Sequence, residues 1–220
     1  MSIETIMLIR HLSVVVSVLF ALLCCLGVPG WRSSPYRWVL PPLAVGALLE
    51  TAGTWTSQLG ITNTVLYNLY LPFEFMMLLL LIQLLHPEWR TRLRVALVLG
   101  LAAWATSWWM NEPMAFLLTD AIMVLALLLT ITLLGTLWRL ADTSDQPLQR
   151  EPLFWLLIGL LTYFGGLFPI IGPLKFIEQT SPLLSFNLYL IINLLAVLRY
   201  LLTGVACLLE RRSVLLSTHP

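Results

Sequence analysis

The sequence predicts an all-α polytopic membrane protein of seven transmembrane helices, with its N-terminus outside and its C-terminus in the cytoplasm. Three observations carry this. The 220 residues are 59% hydrophobic and only 10% charged, with a mean hydropathy of +0.90, whereas soluble domains are roughly 25% charged. Seven apolar runs approach the ~20 residues needed to cross a ~30 Å hydrocarbon core. Loop by loop, nine basic residues (Arg32, Arg37, Arg90, Arg92, Arg94, Arg139, Arg150, Arg211, Arg212) fall on one side and two (Arg10, Lys175) on the other. Basic residues are retained on the cytoplasmic face, and this bias alternates correctly for seven spans but not for six.

Helix 1 is expected over 6–26, with Arg10 and His11 in its first turns. The Gly-, Pro- and Ser-rich stretch 27–35 ends it. No small-x-small cleavage site follows a basic start, so this run reads as a retained helix. Helix 2, 38–55, opens through Pro41 and Pro42 and carries Glu50. Helix 3, 63–85, holds Asn68, Tyr70, Pro72 and Glu74. Helix 4 is 93–110, and Asn111, Glu112 and Pro113 turn tightly into helix 5, 114–140, which contains Asp120. The most polar stretch, 141–151, precedes helix 6, 152–171, which Gly165, Gly166 and Pro169 interrupt. Helix 7 is 183–209, closed by Glu210, Arg211 and Arg212 before a short cytoplasmic tail, 210–220. Eight of the nine tryptophans fall at predicted helix ends, where an amphipathic ring prefers the headgroup layer; Trp104 alone lies deeper.

The chain forms a single domain, 1–220, with an internal echo. Pro35, Trp38 and Leu40 opening helix 2 match Pro152, Trp155 and Leu157 opening helix 6. The Asn68-Leu69-Tyr70-Leu71 stretch of helix 3 returns as Asn187-Leu188-Tyr189-Leu190 in helix 7. Two parallel three-helix repeats, 5–86 and 113–209, joined by a linker helix, 93–110, account for this spacing. The second copy has Asn193 where the first has Glu74, and Ile191 in place of Pro72.

This plan of three, one and three helices resembles that of SWEET-type sugar transporters and of opsins. Helix 7 has no lysine for a retinal Schiff base, so the opsin likeness does not extend to its chemistry. With Glu50 late in helix 2, Asn68, Tyr70 and Glu74 in helix 3, and Trp155 to the Gly165-Gly166 pair in helix 6, the chain is similar to small seven-helix bacterial membrane proteins often encoded near sensor histidine kinases. That resemblance implies a membrane or cytoplasmic signalling partner and a location in the bacterial inner membrane.

Net charge of +1 and the absence of a basic run argue against nucleic acid. Three cysteines make no disulfide framework. The chain has no Gly-x-Ser-x-Gly, Cys-x-x-Cys, His-Glu-x-x-His or phosphate-binding glycine loop, and its three histidines lie on different sides or in a tail. Neither an enzyme, a cofactor nor a metal is therefore expected.

Ionisable groups within a span are functional candidates by default. At about 1.5 Å per residue, Arg10, Glu50, Asn68, Asp120 and Asn187 lie in the outer half, and Glu74 and Asn193 near the midplane. Tyr67, Tyr70 and Glu74 share one helical stripe, as do Tyr189 and Asn193. Pro72 lacks an N–H, so the Asn68 carbonyl is left free for a ligand, a water or a neighbouring helix. Arg10 is expected to pair with Glu50 or Asp120, and Arg199 to snorkel to the cytoplasmic surface. Together Arg10, Glu50, Asn68, Tyr70, Glu74, Asp120, Asn187, Tyr189 and Asn193 suit an outward-facing pocket for a proton or a small polar ligand. Such a pocket serves a sensing or signalling component first, a small-solute or proton-coupled transporter second, and a structural subunit of a membrane complex third.

Overall fold

The computed structural model describes residues 3–28, 35–114 and 117–217. Within them lie seven α-helices and no strand: α1 (Ile3–Leu26), α2 (Leu40–Gln58), α3 (Thr64–Leu85), α4 (Arg90–Met110), α5 (Thr119–Thr143), α6 (Pro152–Thr180) and α7 (Pro182–Ser217). Six are long and apolar enough to cross a membrane; α2, with Glu50 and three threonines in 19 residues, is the exception. Prolines mark the starts: they occupy the first turns of α2 and α6, and Pro87 opens the short turn before α4. A proline there sacrifices only an N–H that has no helical partner. The expected readings of Trp31 and Arg32 lie outside the described residues.

Three boundaries differ from expectation, and the first moves a candidate residue. α5 begins at Thr119, five residues late; of the residues before it, Pro113 and Met114 form a turn and Leu117 and Leu118 are not yet helical. Asp120 thus stands exposed in the first turn of α5, where a carboxylate complements the helix dipole, and is not buried in a span. α6 runs through Pro169 and Pro173 to Thr180. α7 continues to Ser217, beyond the expected tail boundary at 210; at about 1.5 Å per residue its 36 residues span about 54 Å. That exceeds a ~30 Å hydrocarbon core.

The helices pack in chain order as a closed ring, α1 on α2 and onward to α7, with α7 returning to α1 and α3 also touching α5. Large apolar side chains line the outside of the ring on every helix: Val16, Leu48, Leu69, Val98, Ile131, Phe168 and Leu194 are all exposed. An apolar exterior on all helices is what a bilayer requires. The α6–α7 seam is the most extensive. Gly159 and Gly166 lie on one face of α6, two turns apart. A Cβ on Gly159 would come within 3.0 Å of Leu202 Cβ and 3.2 Å of the Arg199 carbonyl, and one on Gly166 within 2.7 Å of a Leu195 methyl. Small residues let membrane helices approach this closely, and here the approach sets the height of Arg199. Gly165 meets nothing closer than Thr130 at 3.8 Å.

At the loop end of α3, Glu88 pairs with Arg139 of α5, and the His86 ring lies 3.5 Å from Glu88 and stacks on Trp89. Burial, followed by the Arg139 cation, holds the His86 imidazole below its ordinary value.

Two outcomes are expected. Gly159→Val should lower unfolding stability in detergent by about 1–3 kcal/mol through overpacking against α7, whereas Gly165→Ala should leave the thermal midpoint almost unmoved. The His86 imidazole titrates at its ordinary 6.5 when unfolded and lower when folded. The folded chain therefore binds fewer protons between those values, so stability falls as pH drops below about 6.5. His86→Gln should remove that part of the slope in thermal midpoints measured against pH.

Candidate functional site

The interior of the ring is organised around an ion pair that joins α3 to α7. Arg199 is not at the cytoplasmic surface, as snorkelling would have it; both it and Glu74 are 5% exposed, and an Arg199 Nη donates to Glu74 Oε1. The reason is the position of Glu74, ten residues into the 22-residue α3. A lone carboxylate at that depth is costly, and a cation brought to it removes most of the cost. α3 and α7 are not neighbours in the ring, so the long arginine side chain bridges a gap between helices.

Aromatic rings complete the cation's surroundings. The guanidinium carbon lies 4.7 Å from the Tyr163 ring centre, 5.1 Å from Tyr200 and 5.4 Å from Phe164. Ring faces carry partial negative charge, so these contacts hold the cation without adding a second anion. Thr203 donates to the Arg199 carbonyl at 2.8 Å.

The carboxylate side is equally built. Tyr70, one turn before Glu74, places its hydroxyl 2.9 Å from Glu74 Oε1 and 2.9 Å from the Pro42 carbonyl of α2. Gly46 makes this possible, since a Cβ there would meet the Tyr70 hydroxyl at 3.2 Å and that of Tyr200 at 3.4 Å. A phenol has one hydrogen, so Tyr70 can donate to only one of its two neighbours. With Glu74 ionised, the hydrogen belongs on the carboxylate. With Glu74 protonated, the carboxyl donates to the phenol, and the phenol donates to Pro42. The protonation state of one carboxyl therefore decides whether Tyr70 adds its hydrogen bond to α2.

A second polar group lies along the α2–α3 seam. The Tyr67 hydroxyl donates to half-buried Glu50 at 3.3 Å, and Gly53 leaves it room, because a Cβ there would come within 2.6 Å of the phenol oxygen. Arg10 of α1 lies within electrostatic reach of Tyr67 and of Tyr189 on α7. It pairs with neither Glu50 nor Asp120, the two carboxylates expected for it.

Asn68 serves the frame. Its amide donates to the Pro113 carbonyl at 2.8 Å and accepts from the Leu118 N–H at 3.1 Å, fastening the α4–α5 connection to α3. The backbone carbonyl that Pro72 frees accepts the Trp104 indole N–H at 2.9 Å, so a neighbouring helix takes the place open to a ligand or water. That bond also accounts for the one tryptophan away from the helix ends. Asn187, the counterpart of Asn68, is exposed, while Tyr189 and Asn193 are half-buried on α7.

The structure thus brings together Glu74, Tyr70 and, in the layer beside them, Glu50 with Tyr67, and Arg10 with Tyr67 and Tyr189. It leaves Asp120 and Asn187 outside this group. Sequence reasoning missed Arg199, Tyr200 and Tyr163; the signal was a second in-span ion of opposite charge to Glu74. Two cavities lie elsewhere: an apolar groove of about 610 Å³ between α1 and α7, and a cleft of about 260 Å³ beside His86 and Arg139. Comparison with protein-family models, curated proteins and solved structures returned no match for this chain.

Removing one member of the buried pair should cost far more than removing both. Arg199→Met should lose about 3–5 kcal/mol of stability by stranding Glu74, and Glu74→Leu combined with Arg199→Met should regain most of it. Additive losses in a double-mutant cycle in detergent would show that the two side chains do not act as a pair.

Proposed function

We propose that this protein is a sensing or signalling component of a cytoplasmic membrane, in which a proton or small polar ligand reaching the ring interior repositions α3 and α7. One observation carries the reading: the buried Glu74–Arg199 pair joins α3 to α7, two helices that are not neighbours in the ring, so the link responds to anything that neutralises either charge. Protonation of Glu74 removes the attraction for Arg199 and hands the Tyr70 hydrogen to α2. A ligand carboxylate would compete for Arg199 to the same effect.

The output follows from continuity. Arg199 and the cytoplasmic end of α7 belong to one unbroken helix that reaches Ser217 and presents Arg211 and Arg212 as exposed cations. A small rotation at Arg199 is carried rigidly to that end, where a membrane or cytoplasmic partner can read it. Seven spans, with α2 embedded between α1 and α3, fit both the ring order and the nine-to-two distribution of basic residues. No catalytic step is part of this reading. The two three-helix repeats would place the asymmetric pair Glu74 and Asn193 at equivalent depths, one half supplying the titratable group.

The test is a distance measurement in a chain reconstituted into bilayers. Spin labels at positions 84 and 208, both exposed, with the native cysteines replaced by serine, report the α3–α7 separation. Acidification should shift the wild-type distribution, and Glu74→Gln should show the acid-state distribution at every pH. An unresponsive wild type, or a Glu74→Gln variant that still responds, would overturn the proposal. Proton or solute flux through liposomes that disappears in Glu74→Gln would identify a transporter instead.

A further inference from the structure

Two buried donors facing the ring interior have no hydrogen-bond partner: Nε of Arg10 on α1 and Nδ2 of Asn193 on the adjacent α7. Among the described residues the Arg10 guanidinium has one hydrogen-bond contact, to its neighbour His11 at 3.4 Å, and no carboxylate lies within ion-pair distance of it. Tyr189, within reach of the Arg10 charge, stands one turn from Asn193 on the same face of α7. Glu50 accepts from the Tyr67 phenol at a long 3.3 Å; among the described residues no cation lies within ion-pair distance of it, and the Arg199 charge reaches it only from further off. Among the described residues, a cation and a carboxyl group thus both act on one phenol without pairing with each other, inside a low-dielectric ring.

Opposite charges in such a medium attract strongly, and leaving each with weak neutral contacts costs free energy. A single anion would satisfy Arg10 and leave Glu50 as it is; a single cation would do the reverse. A small molecule carrying both charges, spaced by a few bonds, satisfies both ends at once and sets its own dipole against that of the site. The neutral aromatic wall between the ends, Tyr67 with Tyr163 nearby, suits the methylene or methyl groups that separate or surround such charges.

We propose that the outer half of the ring binds a small zwitterion, an amino acid or a betaine, with its carboxylate on Arg10 and Asn193 and its ammonium on Glu50. This deepens the sensing reading by naming the ligand class of the same interior. The two can fail separately, because the proton-driven movement of α3 and α7 is measured without any ligand.

The experiment is a thermal-shift titration of the purified full chain in detergent with glycine, L-alanine and glycine betaine, and with acetate and methylammonium as half-probes. At least one zwitterion should raise the midpoint saturably at millimolar concentration, with each half-probe at least about tenfold weaker, a gap of about 1.4 kcal/mol. Arg10→Gln and Glu50→Gln should each weaken the response about tenfold or more. No response to any of the three zwitterions overturns the proposal. So does acetate acting as well as glycine, which would indicate a carboxylate site alone, and so does a response that survives Glu50→Gln. The comparison of whole and half-probes uses the wild-type chain and stands even if a variant fails to fold.

Discussion

The pairing of Glu74 with Arg199 is the constraint to which the rest of the interior answers. Two ions taken out of water lose several kcal/mol of solvation each, and their attraction compensates only when geometry is tight and the remaining donors and acceptors are occupied. The sequence meets that condition on each side of the bond. Gly159 lets α7 come close enough to α6 for Arg199 to face inward, Gly46 leaves space for the Tyr70 and Tyr200 hydroxyls, and Tyr163, Phe164 and Tyr200 surround the guanidinium. An apolar pair of the same volume would recover most of that stability.

Much of the fold was legible from periodicity and composition, because a bilayer admits few solutions for a chain with this hydropathy. Seven helices in the expected order follow from apolar length, proline positions and basic loops. The consequence of Pro72 was legible too: a proline removes one N–H from a helix, and the Asn68 carbonyl it frees must find a donor. What could not be read was which donor. The choice of Trp104 depends on α4 lying against α3 at that height, a fact of tertiary packing.

Arg199 was misread for a related reason. Snorkelling is inferred from distance to the helix end, and Glu210, Arg211 and Arg212 look like an end. They are instead an exposed stretch of a helix that continues to Ser217, so Arg199 lies near its middle. Its partner sits on α3, which is not α7's neighbour in the ring, and no local pattern reports such a contact. Asp120 was misplaced by the opposite error, an α5 start taken at Met114 when the helix begins at Thr119. The Asn68 and Asn187 copies share a sequence but not an environment, one buried and bonded to two elements, the other exposed. Any duplication in this chain has thus been followed by divergence of the very residues that reveal it.

That divergence bears on mechanism. A symmetric ring with a carboxylate on both α3 and α7 would place two like charges near one another, and one would be forced neutral. Here α7 carries Asn193 at the position equivalent to Glu74 and supplies Arg199 a turn and a half further on. The buried acid thus resides on α3 and its counter-ion on α7. Neutralising Glu74 changes two things at once, the attraction that spans the ring and the destination of the single Tyr70 hydrogen. The first loosens α3 from α7, and the second tightens α3 onto α2. Both contacts leave one face of α3, through Tyr70 to α2 and through Glu74 to α7, so exchanging one for the other changes which helix α3 is tied to, which mere loss of an ion pair would not do.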